Sequence, residues 1–384
     1  MAESSLKIAR LLANFGANLS IPDDEGWSPL HAAARSGYRE IAEFLLESGA
    51  TLDARNKQQQ TALHLACGNG KVDVSRFLID RGSDMNSRGE AGFTPLHMAS
   101  RFRHVDVARL LLDRGCDVDI REAQRWTPLH YASRLGYLDL ARLLIDRGAD
   151  LNVYEETRST ALHFSSMNGH LDIARLLVQR GAHVDSRDIK ESTPLDCAAD
   201  FGYLDIVRFL IESGATGSSR DINGWTPFHV ASYSGHLHIT KLLLECGLDV
   251  NIRNGSEETS LYLASHSGKL DVVRFLIEHG ADIHAIDNGG RNPLHIASQN
   301  GHLDVVRMLI NNGIGVNVRN ETQMTPLALA SIEGRVEVGH ILIERGADIN
   351  VRDNLGLAPL HFASERGHLD MALLLLDHGA DVNI

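Results

Sequence analysis

Thr94-Pro95-Leu96-His97 decides the fold, because the chain writes the same phrase again and again at a fixed interval. Ser28-Pro29-Leu30-His31 and Thr127-Pro128-Leu129-His130 flank it. The series continues from Thr61, Thr160, Thr193, Thr226, Thr259, Asn292, Thr325 and Ala358, and every step is 33 residues. A glycine column keeps the same register from Gly16 through Gly49, Gly82, Gly115 and Gly148 to Gly379. Self-similarity at a period of about 20–50 residues marks a repeat architecture, in which each piece buries its apolar face only against its neighbours.

The columns have physical reasons. Ten of the eleven phrases open with Ser, Thr or Asn, whose side chains cap a helix N-terminus. Eight of the nine prolines follow immediately, at the first helical position, where a missing N–H costs nothing. A leucine then points inward, replaced once by Phe228, and a small residue at Ala33 and its equivalents lets helices approach closely. Gly37, Gly70 and Gly136 permit a turn to a second helix, with Arg103 the one exception in that column. The second helix opens on an acid such as Glu40, Asp73 or Asp106, which suits the helix dipole. Its apolar spacing, as in Val74, Phe77 and Leu78, is helical, and the terminal glycine supplies a left-handed cap.

These residues resemble the ankyrin repeat over practically the whole chain. The resemblance implies an all-α solenoid of stacked helix pairs with projecting β-hairpin loops. One array is expected over residues 1–384: a partial repeat over 1–20 that aligns with a second helix, eleven repeats from about 21 to 379, and the start of a further hairpin over 380–384. The last helix carries Leu373 where most repeats place Arg or Lys, so the chain reads as a window from a longer array. Self-association through uncapped ends is the alternative.

Composition narrows the function. The net charge of −13 disfavours phosphate backbones and anionic membranes, and no apolar run is long enough to span a bilayer. The four cysteines, Cys67, Cys116, Cys197 and Cys246, show no metal or disulfide spacing, and no secretory leader is evident. An intracellular, cytoplasmic setting is expected. No nucleophile elbow, phosphate loop or dinucleotide fingerprint occurs. Asp200-Phe201-Gly202 spells a kinase triplet only by coincidence, at the end of a first helix. No catalytic, cofactor-binding or metal residue, no cofactor and no small-molecule substrate are therefore expected.

Histidines are abundant but placed in rows. His31, His64, His97, His130, His163, His229, His295 and His361 take the fourth position of the phrase, and His104, His170, His236, His302 and His368 follow the inter-helix turn. The family resemblance implies that the first row bonds the Thr and the neighbouring loop. Helix layers about 10 Å apart cannot bring either row onto one zinc ion. Arg55, Arg88, Arg121, Arg187, Arg220, Arg253, Arg319 and Arg352 form a column read as a hairpin ladder, with a rail for an acidic partner as the alternative.

The resemblance also implies a ligand groove between hairpin tips and the ends of first helices. Those positions differ sharply from repeat to repeat while the scaffold hardly changes. Phe93, Arg101, Phe102, Arg103, Arg125, Trp126, Arg134, Leu135 and Arg158 crowd repeats three to five, and Trp225 and Tyr233 stand in a later one. Arginines and aromatics dominate binding hot spots, with packing of one hairpin on the next as the alternative role for Phe93 and Trp126. The expectation is a protein-interaction scaffold whose groove takes a protein or peptide partner with an acidic or aromatic-bearing surface, with nucleic acid disfavoured. Two alternatives stay open: a sensor or autoinhibitory region of a larger signalling protein, and an asparaginyl hydroxylase substrate modified at Asn86, Asn152, Asn251, Asn317, Asn350 or Asn383.

Overall fold

The computed structural model describes residues 2–383. Met1 and Ile384, assigned above to the partial first repeat and to the further hairpin, lie outside the described residues. Among the described residues a lone first helix, Ala2–Asn14, is followed by twenty-two α-helices in pairs, such as Pro95–Arg101 with Val105–Asp113 and Pro128–Leu135 with Leu138–Asp146, and one 3-10 turn, Glu90–Gly92. The chain forms two compact bodies, one ending at Ile189 and one beginning at Lys190. Within each, first helices stack on first helices and second helices on second. None of the paired helices exceeds about three turns, too short for independent stability in water, so the stacking is what holds them.

Burial follows the columns. Leu30, Leu63, Leu96, Leu129 and Leu162 are at most 1% exposed in the first body, and Phe228 replaces the leucine in the second with no exposure. Each such side chain removed from water stabilises by about 2 kcal/mol. Thr94 sits in extended geometry with Pro95 at the first helical position, as the capping pattern requires.

The inter-repeat segment is plainer than a β-hairpin. Among the described residues there is no strand, only two isolated antiparallel bridges, Tyr154 with Thr160 and Arg253 with Thr259. Each loop instead closes on itself and stacks on its neighbour through one backbone bond. Glu90 N donates to the Gln58 carbonyl at 2.8 Å, and Ala123 N to the Ala91 carbonyl at 2.8 Å.

The two glycine columns are not equivalent. Gly148 and Gly136 both lie in the left-handed region, at φ 87° and 76°, but only Gly136 is crowded. A Cβ there would stand 2.6 Å from the His170 ring, whereas one at Gly148 would meet nothing within 4 Å. Gly148→Ala is expected to cost about 1–2 kcal/mol, the left-handed penalty alone. Gly136→Ala should cost clearly more, because His170 must also be displaced. Urea midpoints of the two variants check this, and equal losses would contradict it.

Candidate functional site

The first histidine row is structural. The backbone N–H of Ser28, Thr61, Thr94 and Thr127 donates to the Nδ1 of His31, His64, His97 and His130 at 3.0–3.3 Å. Because a backbone N–H can only donate, Nδ1 carries no proton and the proton sits on Nε2. That nitrogen donates to a carbonyl of the following loop, Phe93 O for His64 and Trp126 O for His97, both at 3.0 Å. The second row reaches the other way: Nε2 of His104 and His170 bonds the carbonyls of Gly68 and Arg134 at 3.1 Å. Every such ring stitches two repeats, and among the described residues no three His, Cys, Asp or Glu converge as metal ligands.

The variable positions come together as pairs. The residue before the phrase and the one eight places later in sequence meet at the loop base. Arg101 lies over Phe93 with 5.6 Å to the ring centroid, Arg134 over Trp126 at 5.3 Å, and in the second body Tyr233 meets Trp225 edge-on at 5.4 Å. Arg101 also lies 5.7 Å from the Phe102 centroid. Phe102 is 49% exposed and Leu135 40%, so these side chains stand open to solvent beside their arginines.

The aromatic residues divide by burial. Trp126 is only 8% exposed, because its ring packs 4.4 Å from Phe164 and 5.0 Å from Tyr131. Phe93 is half-buried and reaches Tyr131 at 5.9 Å. A train of rings, Phe93, Tyr131, Trp126, Phe164, thus floors the face from repeat three to repeat five. Burial pushes the Tyr131 hydroxyl up to about 12. Tyr131 and Phe164 were not singled out from the sequence, although both occupy the position after the histidine of the phrase. In the second body Trp225 packs instead against Tyr262, Leu263 and Ile296.

The remaining arginines are held in place. Arg103 contacts Asp139 at 3.4 Å and lies 5.4 Å from the Tyr137 centroid, so the inter-helix turn occupies it. Arg125 lies over Tyr154 at 5.2 Å. Arg103, Arg125 and Arg158 all have positive φ, 60°, 65° and 63°. For side chains other than glycine this strain persists only where surrounding structure over-determines it.

Two columns named from the sequence are engaged in backbone bonding. Arg55 donates to Arg88 O at 2.6 Å, Arg88 to Arg121 O at 2.7 Å and Arg220 to Arg253 O at 2.7 Å, each bond spanning one repeat step. The asparagine column ties loops in the same way. Asn317 Nδ2 donates to Gly346 O at 3.0 Å while its Oδ1 accepts from Asp348 N at 2.8 Å. Sequence reading missed a further ladder along the second helices, where Arg147 pairs with Asp113 at 2.8 Å and Arg180 with Asp146 at 2.7 Å.

A family model described as ankyrin repeats (3 copies) matches residues 1–56, 51–122, 91–155, 147–221, 184–254, 215–287, 280–353 and 315–384. A comparison with curated proteins returns no match. No helix among the described residues is long and apolar enough to cross a membrane.

Proposed function

Because the chain belongs to the ankyrin-repeat family, whose repeats are in general protein-interaction modules, we propose that it binds a protein or peptide partner on the loop-and-first-helix face of repeats three to five. Arg101, Phe102, Arg134 and Leu135 make the contacts, while Phe93 and Trp126 hold the arginines from below. One observation carries the reading: Arg101 is exposed, lies against two rings and has no carboxylate partner among the described residues. A guanidinium so placed keeps a fixed orientation and an unfilled charge, the condition under which arginine anchors an interface. The chemistry it asks for is acidic, and the role is that of a scaffold without catalysis.

Replacing Arg101, Phe102 and Arg134 together with Ala tests this. All three are exposed, so each change alone should alter stability by no more than about 0.5 kcal/mol. Affinity capture from a lysate should lose its bound proteins while circular dichroism stays unchanged. Undiminished capture by the folded variant would contradict the reading.

A further inference from the structure

The third loop breaks a column that the other loops keep. At the first tip position Asp23, Asn56, Glu122, Asp221, Asp287 and Asn320 carry a carboxylate or amide, whereas Gly89 carries no side chain. In those loops the side-chain oxygen accepts the N–H of the residue four places on. The distance is 2.8 Å for Trp27, Gln60, Trp225, Arg291 and Met324, and 2.9 Å for Trp126. Gly89 offers no such oxygen. The Phe93 N–H turns to the Glu90 carbonyl at 3.2 Å, and Glu90–Gly92 winds into a 3-10 turn with Ala91 at φ 52°. A Cβ on Gly89 would be tolerated, with ordinary contacts to Phe93 O at 3.4 Å, His64 Nε2 at 3.5 Å and Gln58 O at 3.6 Å.

A cavity of 330 Å³ opens at that place, reaching from His64 and Gly89 to Phe93, Met98, Arg101 and Phe102. Its one cation is Arg101, stacked and without an ion pair among the described residues. Glu90 also lines it, exposed to solvent. His64 contributes a neutral ring whose nitrogens already serve Thr61 and Phe93.

We propose that this cavity receives an aspartate or glutamate side chain from an acidic peptide segment of a partner protein. The incoming carboxylate replaces the acceptor that the third loop lacks and pairs with Arg101, while an adjacent apolar residue covers Phe102 and Met98. The inference rests on the groove reading above and narrows it to one subsite. A nucleic-acid strand fits less well, because the net charge of −13 opposes a run of phosphates far more than a single carboxylate.

The test uses the full chain, immobilised, and a displayed peptide library whose polar positions are equal mixtures of Asp with Asn and of Glu with Gln. Recovered peptides should favour the acid over its amide at one position by about tenfold or more, the effect of a charge-assisted bond. Gly89→Asp should abolish that preference, because the loop regains its own acceptor and repels a second carboxylate. Gly89→Ala should keep it, since Gly89 has φ −84°, which alanine adopts freely. Equal recovery of acid and amide, recovery of no peptide, or a preference that survives Gly89→Asp would overturn the proposal. So would displacement of the peptides by single-stranded polyuridylate. Peptides without acid preference that are lost on Phe102→Ala would leave the groove reading standing, and peptides retained by that variant would overturn both.

Discussion

Acidification from neutral pH is expected to unfold the protein as the pH falls from 6.5 towards about 4, the interval over which the buried histidines differ from free ones. Burial pushes the His64, His97, His130, His229 and His295 imidazoles down from 6.5 to about 4. The bond geometry supplies a second reason, since protonating Nδ1 sets an N–H against the backbone N–H that donates to it. The sign follows from linkage. Between those two values the unfolded chain binds more protons than the folded one, so stability is complete above the unfolded value and is lost as pH falls. Each shift corresponds to on the order of 3 kcal/mol. Five such groups together reach the upper end of the stability of an ordinary domain, about 5–15 kcal/mol.

Carboxylates in a free chain ordinarily titrate at about 4, so the assignment needs a variant. Replacing His64, His97 and His130 with Gln removes three of the titrating rings while leaving an amide that can both accept and donate. The variant should be less stable at neutral pH yet show a visibly shallower decline below 6.5. Circular dichroism melts across the pH range measure both quantities. An unchanged slope would contradict the role assigned to the rings.

Trp126→Ala is expected to be the most damaging single change at the candidate site, costing about 3–5 kcal/mol, the range for losing a packed aromatic. It empties the space between Tyr131 and Phe164 and leaves Arg134 without its platform. Phe102→Ala, at the end of the first helix of the preceding repeat, should cost no more than about 0.5 kcal/mol because the ring is already 49% exposed. Repeat arrays need not unfold in two states. The comparison is therefore best made by hydrogen exchange at Pro128–Leu135 and Ala161–Met167, where Trp126→Ala should speed exchange and Phe102→Ala should not.

The contrast between those residues shows where sequence reading stops. Both fall in columns that vary, and both were read as groove positions. What separates them is the neighbour: Trp126 meets Tyr131 in its own repeat and Phe164 in the next, while Phe102 has the Arg101 guanidinium 5.7 Å from its ring centroid and no aromatic partner among the described residues. Burial at a tip position thus depends on a different column, the one after the histidine. The fold itself was legible because caps, prolines and glycines each answer a local backbone demand that recurs every 33 residues. The arginine and asparagine columns were harder to weigh because their partners are backbone carbonyls and amides, which every sequence possesses. Gly89 was legible in principle, as the position where a column of acids and amides is interrupted.

The central claim is that partner and chain meet on the loop-and-first-helix face of repeats three to five. Hydrogen–deuterium exchange of the full chain, with and without a captured partner, tests it most directly. Slowed exchange at Gly89–Arg103 and at Arg134–Leu135 is the expected result. Protection confined to the second helices Val105–Asp113 and Leu138–Asp146, or to the body beginning at Lys190, would contradict it.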